Sequence, residues 1–145
     1  MKCLTLTGLF FLCFSSLLGH DNIIWFLTSL PTEESCKKYY CRITYYHPYQ
    51  DRWGSRVACP KTRRAKQGIT VAAHPNFEFG TQVFIPDLAG KVGDGHFVVQ
   101  DRGAWVTKKK ASRGKSYVFD VYISTKSSYY RMVKNSPYMW VYAPK

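Results

Sequence analysis

The sequence predicts a mainly β domain: a small closed barrel of six short strands with one or two short helices. Three observations carry this. Aromatics make up 17% of the 145 residues, with 11 Tyr and 9 Phe, a composition that favours strands over helices. Short β-branched or aromatic runs recur along the chain, each bounded by Gly, Pro, Asn or Asp. Hydrophobic residues reach 46%, enough to build a packed core and outside the range of disordered chains.

The chain opens on a segment of a different kind. Behind Lys2, Leu4 to Leu18 is an uncharged apolar run of signal-peptide rather than bilayer length. Gly19 offers a small residue for cleavage, although Leu17 fits the −3 position poorly. A second apolar patch, Ile23 to Leu30, keeps an uncleaved membrane anchor as the alternative. Residues 1–19 therefore read as a signal peptide and 20–40 as a linker, with Pro31, Thr32, Glu33, Glu34 and Ser35 polar or turn-forming. Residues 41–145 read as the barrel. The protein is expected in the cell envelope or outside the cell, as a monomer.

Within the barrel the expected strands are Cys41–Tyr46, Gly68–Ala73, Gln82–Pro86, His96–Asp101, Tyr117–Ile123 and Tyr138–Tyr142. Phe97 and Val99 alternate with Val98 and Gln100, as a half-buried strand requires. A helix is expected over Ser127 to Lys134, capped by Ser124 or Thr125 and stopped by Asn135 and Pro137. Gly80 and Gly103 sit at strand ends, where positive φ or close backbone approach selects glycine.

Export implies an oxidising compartment. Cys3 and Cys13 lie in the leader, which leaves Cys36, Cys41 and Cys59. The odd number permits one internal disulfide. Cys41 opens the first strand and Cys59 ends the following loop, so Cys41–Cys59 is the preferred pair, with Cys36–Cys59 and Cys36–Cys41 as alternatives. No CxxC pair occurs and His74 has no ligand nearby in sequence, so neither a metal nor a cofactor is expected.

The net charge of +12 stays near +11 once Lys2 is removed with the leader. Its clusters are Lys61 to Lys66 and Lys108 to Lys115. A basic surface draws anionic polymers by long-range attraction. For an exported protein these are cell wall, lipopolysaccharide, anionic lipid or extracellular nucleic acid; a solvated loop that keeps the chain soluble is the plainer reading of Lys108–Lys115. No RNP, helix-turn-helix or zinc-finger pattern supports a nucleic-acid partner. Membrane contact follows only if the leader is uncleaved.

Three apolar runs each hold one ionisable residue: His74, Asp101 and Asp120. A strand seldom tolerates a charge without a partner or a task. With only nine acids in the chain, two of them inside strands suggest a shared cleft. Taken singly each has a bland reading: a turn histidine beside Pro75, an aspartate cap before Gly103, a structurally paired acid at 120. Tyr45, Tyr46 and Trp105 are candidates for aromatic stacking on a ligand, Arg102 for a polar contact, and Thr81 for a hydroxyl given either to the site or to the backbone. Because strand residues alternate faces, at least one of the two tyrosines belongs to the core.

The order of these pieces resembles the double-psi β-barrel. It is similar to the branch that holds the rare-lipoprotein-A family, the three-aspartate domain and the catalytic barrel of membrane-bound lytic transglycosylase A. The matching residues are A72-A-H74, F79-G-T81-x-V83, Q100-D-R-G103 and F119-D-V121, with Ile43-Thr-Tyr-Tyr46 at the place of the first strand. The match covers about residues 41 to 143. Departures are His74 where the three-aspartate domain has its first Asp, Gln100 where rare lipoprotein A has Asn, and a longer, more basic segment from Gly103 to Tyr117.

The resemblance implies a lytic transglycosylase that cleaves the β-1,4 bond between N-acetylmuramic acid and N-acetylglucosamine in peptidoglycan. Such an enzyme uses one carboxylic acid in turn as acid and base, and leaves a 1,6-anhydromuramic end. By the same resemblance Asp101, Asp120 and His74 are its catalytic residues; which Asp is the acid stays open. The rival reading is an expansin-like binder that holds cell-wall glycan without cutting it.

Overall fold

The alternation that makes a half-buried strand is clearest in β1 (Cys36–Tyr46), where Cys41, Ile43 and Tyr45 are buried while Arg42, Thr44 and Tyr46 are only partly covered. The other strands are β2 (Thr70–Ala72), β3 (Gln82–Phe84), β4 (His96–Asp101), β5 (Val118–Tyr122) and β6 (Tyr138–Pro144). Two short helices, α1 (Ala104–Thr107) and α2 (Lys126–Val133), and 3-10 turns at Pro86–Leu88 and Lys110–Ser112 complete the set among the described residues. The computed structural model describes residues 36–50, 52–134 and 137–145. The expected signal peptide and most of the linker lie outside the described residues, as do the helix-stopping Asn135 and its neighbour.

All six expected strands form, and β4 has the expected bounds. Helix α2 starts one residue before its expected position, and Thr125 caps it by accepting the Ser128 N–H at 3.3 Å. The main difference is β1, which begins five residues before the expected start. Lys37-Lys38-Tyr39-Tyr40 has no apolar alternation to announce a strand. It becomes one because antiparallel pairing with β6, from Cys36 opposite Pro144 to Arg42 opposite Tyr138, supplies its backbone partners. Residues 36–40 thus belong to the barrel rather than to a linker.

The strands close in the cyclic order β1-β5-β2-β4-β3-β6. The pairs β1–β5 and β2–β4 are parallel and the rest antiparallel. Strand β5 therefore lies between β1 and β2, and β2 lies between β4 and β5. The interior is filled by Ile43, Val71, Phe97, Val99, Phe119, Val121, Ile123 and Val141, all at most 1% exposed. Phe77 closes one part of this core, edge-to-face with Phe119, Tyr39 and Tyr117.

Two turns show what glycine does here. Gly80 has φ +91, the left-handed region that excludes most side chains, as expected. Gly103, expected to need the same freedom, is extended at φ −161 with open space where a Cβ would go; any residue adopts that conformation. The tightest glycine is one the sequence did not single out. A Cβ on Gly93 would lie 2.9 Å from the Gly68 Cα, so two turns pass back to back just before β2.

The preferred disulfide is not formed: Cys41 and Cys59 are both buried free thiols. Alternation explains why. Cys41 shares the inward face of β1 with Ile43 and Tyr45 and sits in the main core, where burial pushes its thiol up to about 12. Cys59 instead lies in the β1–β2 connection, docked on β4 through its N–H to Gln100 O at 3.0 Å. Among the described residues no helix is long and apolar enough to cross a membrane.

Candidate functional site

Register builds the site. Thr44 on β1 is paired with Asp120 on β5, Asp120 with Ala72 on β2, and Ala72 with Asp101 on β4. Four neighbouring strands thus present one row: Thr44, Asp120, Ala72, Asp101. Adjacent strands are about 4.8 Å apart, so the two aspartate Cα atoms stand roughly 10 Å apart. Between them is only the methyl group of Ala72, which leaves the space over the row open.

Regular alternation would not put Asp101 in that row. Phe97 and Val99 point inward, and two further residues would point Asp101 inward too. The register slips between Val71, paired with Val99, and Ala72, paired with Asp101. Gln100 is the extra residue. Its side chain accepts the Thr70 hydroxyl at 2.7 Å, and its carbonyl accepts the Cys59 N–H from outside the ladder. A bulge of this kind re-aims the side chain that follows it, and here it turns Asp101 onto the face that Asp120 occupies.

The two carboxyls meet different surroundings. Asp120 lies between Phe119 and Val121, both fully buried, at the floor of the cavity. Burial pushes its carboxyl up to about 7; the Thr44 hydroxyl, which donates to Oδ1 at 2.7 Å, pulls it down, and the charge of Asp101 pushes it up. Asp101 Oδ1 accepts two backbone N–H groups, from Arg102 at 2.8 Å and Ala58 at 3.0 Å. Donors of this kind suit an anion. The Tyr46 hydroxyl faces both acids. It approaches Asp101 without reaching ordinary hydrogen-bond geometry, and burial followed by that carboxylate drives the phenol far above its usual range, so it keeps its proton.

The cavity over this row has a volume of about 1050 Å³. Arg42, Arg56 and Arg102 give its wall positive charge, and Trp53 and Trp105, 56% and 48% exposed, stand on its rim. Of the tyrosine pair, Tyr46 faces the acids, whereas Tyr45 packs in the main core and reaches the cavity lining with only 5% of its surface exposed. Sequence reading missed Arg42, Trp53 and His47. Arg42 and Thr44 share Tyr46's parity on β1, a signal the alternation carries. Trp53, in a turn-rich polar stretch, signals itself only as an aromatic without an apolar neighbour. His47 lines the cavity just after β1. Its Nδ1 accepts the Tyr49 N–H at 3.1 Å and its ring packs edge-on against Tyr129 at 4.4 Å, while burial and then Lys126 hold it below the usual histidine range.

The remaining expected site residues fall on the 73–79 loop or beside it. His74 is not part of the cavity lining. Its Nδ1 accepts the Asn76 N–H at 3.2 Å, its ring lies 5.3 Å from that of Tyr117, and burial with Lys109 nearby lowers its basicity. Thr81 is also outside the lining, engaged through its backbone with Glu78 and Val99. Arg102 lines the cavity, but its guanidinium holds this loop: it donates to Ala73 O at 2.8 Å and to Phe77 O, and stacks 4.4 Å from the Phe79 ring centre. Its evident task is to clamp the loop that carries His74 against β4. Among the described residues no group of three or more His, Cys, Asp or Glu could hold a metal ion. Compared with family models, curated proteins and solved structures, the chain finds no match.

Proposed function

We propose that this barrel cleaves the β-1,4 bond of peptidoglycan glycan strands by a water-free acid/base route, as an exported lytic transglycosylase of double-psi type. The observation that carries the reading is Asp120: a carboxyl on an apolar strand, at the floor of a large cavity, with its pKa brought to about 7 by burial. A general acid works best with a pKa near the ambient pH. The interleaving of β5 between β1 and β2, and of β2 between β4 and β5, supports the double-psi assignment, since each is a strand threaded between two others.

In this reading the protonated Asp120 gives its proton to the glycosidic oxygen as the bond from that oxygen to the muramic C1 breaks. The muramic C6 hydroxyl then attacks C1, and its proton passes to the Asp120 carboxylate. The acid is regenerated, no water is consumed, and the product ends in a 1,6-anhydro ring. Asp101, held by two N–H donors, stabilises the positive charge that develops at C1. The Tyr46 hydroxyl keeps its proton and is a neutral donor beside the two carboxyls. Arg42 and Arg56 meet the carboxylates of the substrate, and Trp53 and Trp105 cover sugar faces at the rim.

Mass spectrometry of sacculi digested with the purified chain tests this. Anhydromuramic ends are expected, and Asp120→Asn should lower their release by roughly a hundred- to ten-thousand-fold, the usual worth of acid–base assistance, with binding retained. Asp101→Asn should lower it as well. Reducing ends that carry solvent ¹⁸O would make the protein a hydrolase. Binding without any cleavage would favour the expansin-like reading.

A further inference from the structure

The outer face of β1 and β6 carries a continuous aromatic and basic strip that shares only Arg42 with the cavity. On β6 it consists of Tyr138 and Trp140, on β1 of Lys38, Tyr40 and Arg42; the antiparallel register sets Arg42 opposite Tyr138 and Tyr40 opposite Trp140, with Lys38 two residues further along. Tyr40 stacks on Tyr138 with ring centres 5.5 Å apart and meets Trp140 at 5.0 Å. The cations cover the two ends: Lys38 Nζ lies 4.8 Å from the Trp140 ring and the Arg42 guanidinium 5.4 Å from the Tyr138 ring. Tyr40, Trp140 and Tyr138 are 55%, 45% and 37% exposed, a large apolar area to leave in water.

We propose that this strip is a second binding surface for the same anionic glycan strand, continuing the cavity along the outside of the barrel. The inference rests on the reading of the cavity as a glycan site. Arg42 is the link. It lines the cavity and also lies over Tyr138, and its Nε is buried without a partner. A strand that leaves the cavity past Arg42 meets Tyr138, then Tyr40 and Trp140, then Lys38, over about 13 Å of β1. Flat rings take sugar faces, and the flanking cations take carboxylates. Neither β1 nor β6 contains an acid, so the whole face is complementary to an anion. A lipid surface would be the other user of aromatic and basic residues. It is disfavoured because every exposed large hydrophobic residue on these two strands is aromatic, with no aliphatic side chain to enter the acyl region.

The test compares long glycan strands with fragments short enough to fill only the cavity. Trp140→Ala and Tyr40→Ala should each weaken binding of long strands about tenfold, roughly the 1.4 kcal/mol of one good aromatic contact. KM for long strands should rise alike with kcat unchanged, the mark of binding energy shared by ground and transition states. Cleavage of short fragments should not change, and Trp140→Phe should restore most of the loss. The side chains replaced are exposed, and Lys38→Gln gives a third variant that removes no packing. Unchanged binding and KM for long strands in Trp140→Ala would overturn the proposal. So would a loss seen only with phosphatidylglycerol vesicles, which would make the face a membrane contact. Asp120→Asn separates the two readings: if it still cleaves, the catalytic assignment fails, while the strip is judged by strand binding alone.

Discussion

Asp120 owes its chemistry to a balance among three neighbours. Burial raises its carboxyl, Thr44 lowers it, Asp101 raises it, and the outcome is a pKa of about 7. The sign of the consequence follows from linkage. Between about pH 4, where an unfolded Asp titrates, and about pH 7, the folded chain holds this proton and the unfolded chain does not, so stability falls as pH rises through that window. The loss is at most about 4 kcal/mol, three pKa units at ~1.36 kcal/mol each. Asp120→Asn lacks it. Melting temperatures should therefore show the variant more stable than the native chain above pH 7, with the gap closing towards pH 4; a gap independent of pH would contradict the buried acid. Activity has the same origin, and kcat/KM should decline as pH rises through about 7 because the acid form disappears. Thr44→Val removes the donor that favours the ionised carboxylate, so the declining limb should move to higher pH. A limb that stays in place would show that Thr44 does not tune Asp120.

At the scale of elements, a bulge and a pair of turns place the site. Without the extra residue at Gln100, Asp101 would join Phe97 and Val99 in the interior, where an acid is costly. The back-to-back turns at Gly68 and Gly93 lead into the paired strands β2 and β4, which carry Ala72 and Asp101. Gly93→Ala sets a Cβ 2.9 Å from the Gly68 Cα at a φ of +76, so it should cost about 1–3 kcal/mol in urea unfolding. Gly103→Ala is the contrast: its φ is extended and its Cβ site is open, so the loss should stay within about 0.5 kcal/mol. Equal losses at the two positions would mean that the close approach of the turns is not tight in solution.

For the whole molecule, barrel closure sorts residues into an interior and a working exterior. Cys41, with its thiol pushed up to about 12, and Cys59 are both buried, one inside the barrel and the other in the connection docked on β4. Both should resist alkylation in the native protein and react at once in denaturant. Peptide mapping without reductant should find them unlinked; a Cys41–Cys59 bridge would require β1 to turn its inward face out. Closure also gathers positive charge around the two acids, with Arg42, Arg56 and Arg102 in one wall from three separate parts of the chain.

Much of this protein is legible in its residues. Six strands, the capped helix and the two acids on strands follow from alternation, turn residues and the rarity of charge in apolar runs, all properties of short stretches of chain. Short-range signals end where pairing with a distant segment decides the conformation. Lys37 to Tyr40 reads as linker and is strand, because β6 supplies its hydrogen bonds. Asp101 reads as one more residue of a regular strand and is swung outward by a register slip against β2. His74 and Arg102 lie within the stretches A72-A-H74 and Q100-D-R-G103 that carry the family resemblance, yet the first packs on Tyr117 and the second clamps a loop. Arg42, His47 and Trp53 carry no motif and line the cavity. Local periodicity and composition suffice to say which segments become strands and which acids lie within them. Which of those side chains share a cavity is set by register, bulge and closure, and these depend on contacts between residues far apart in the chain.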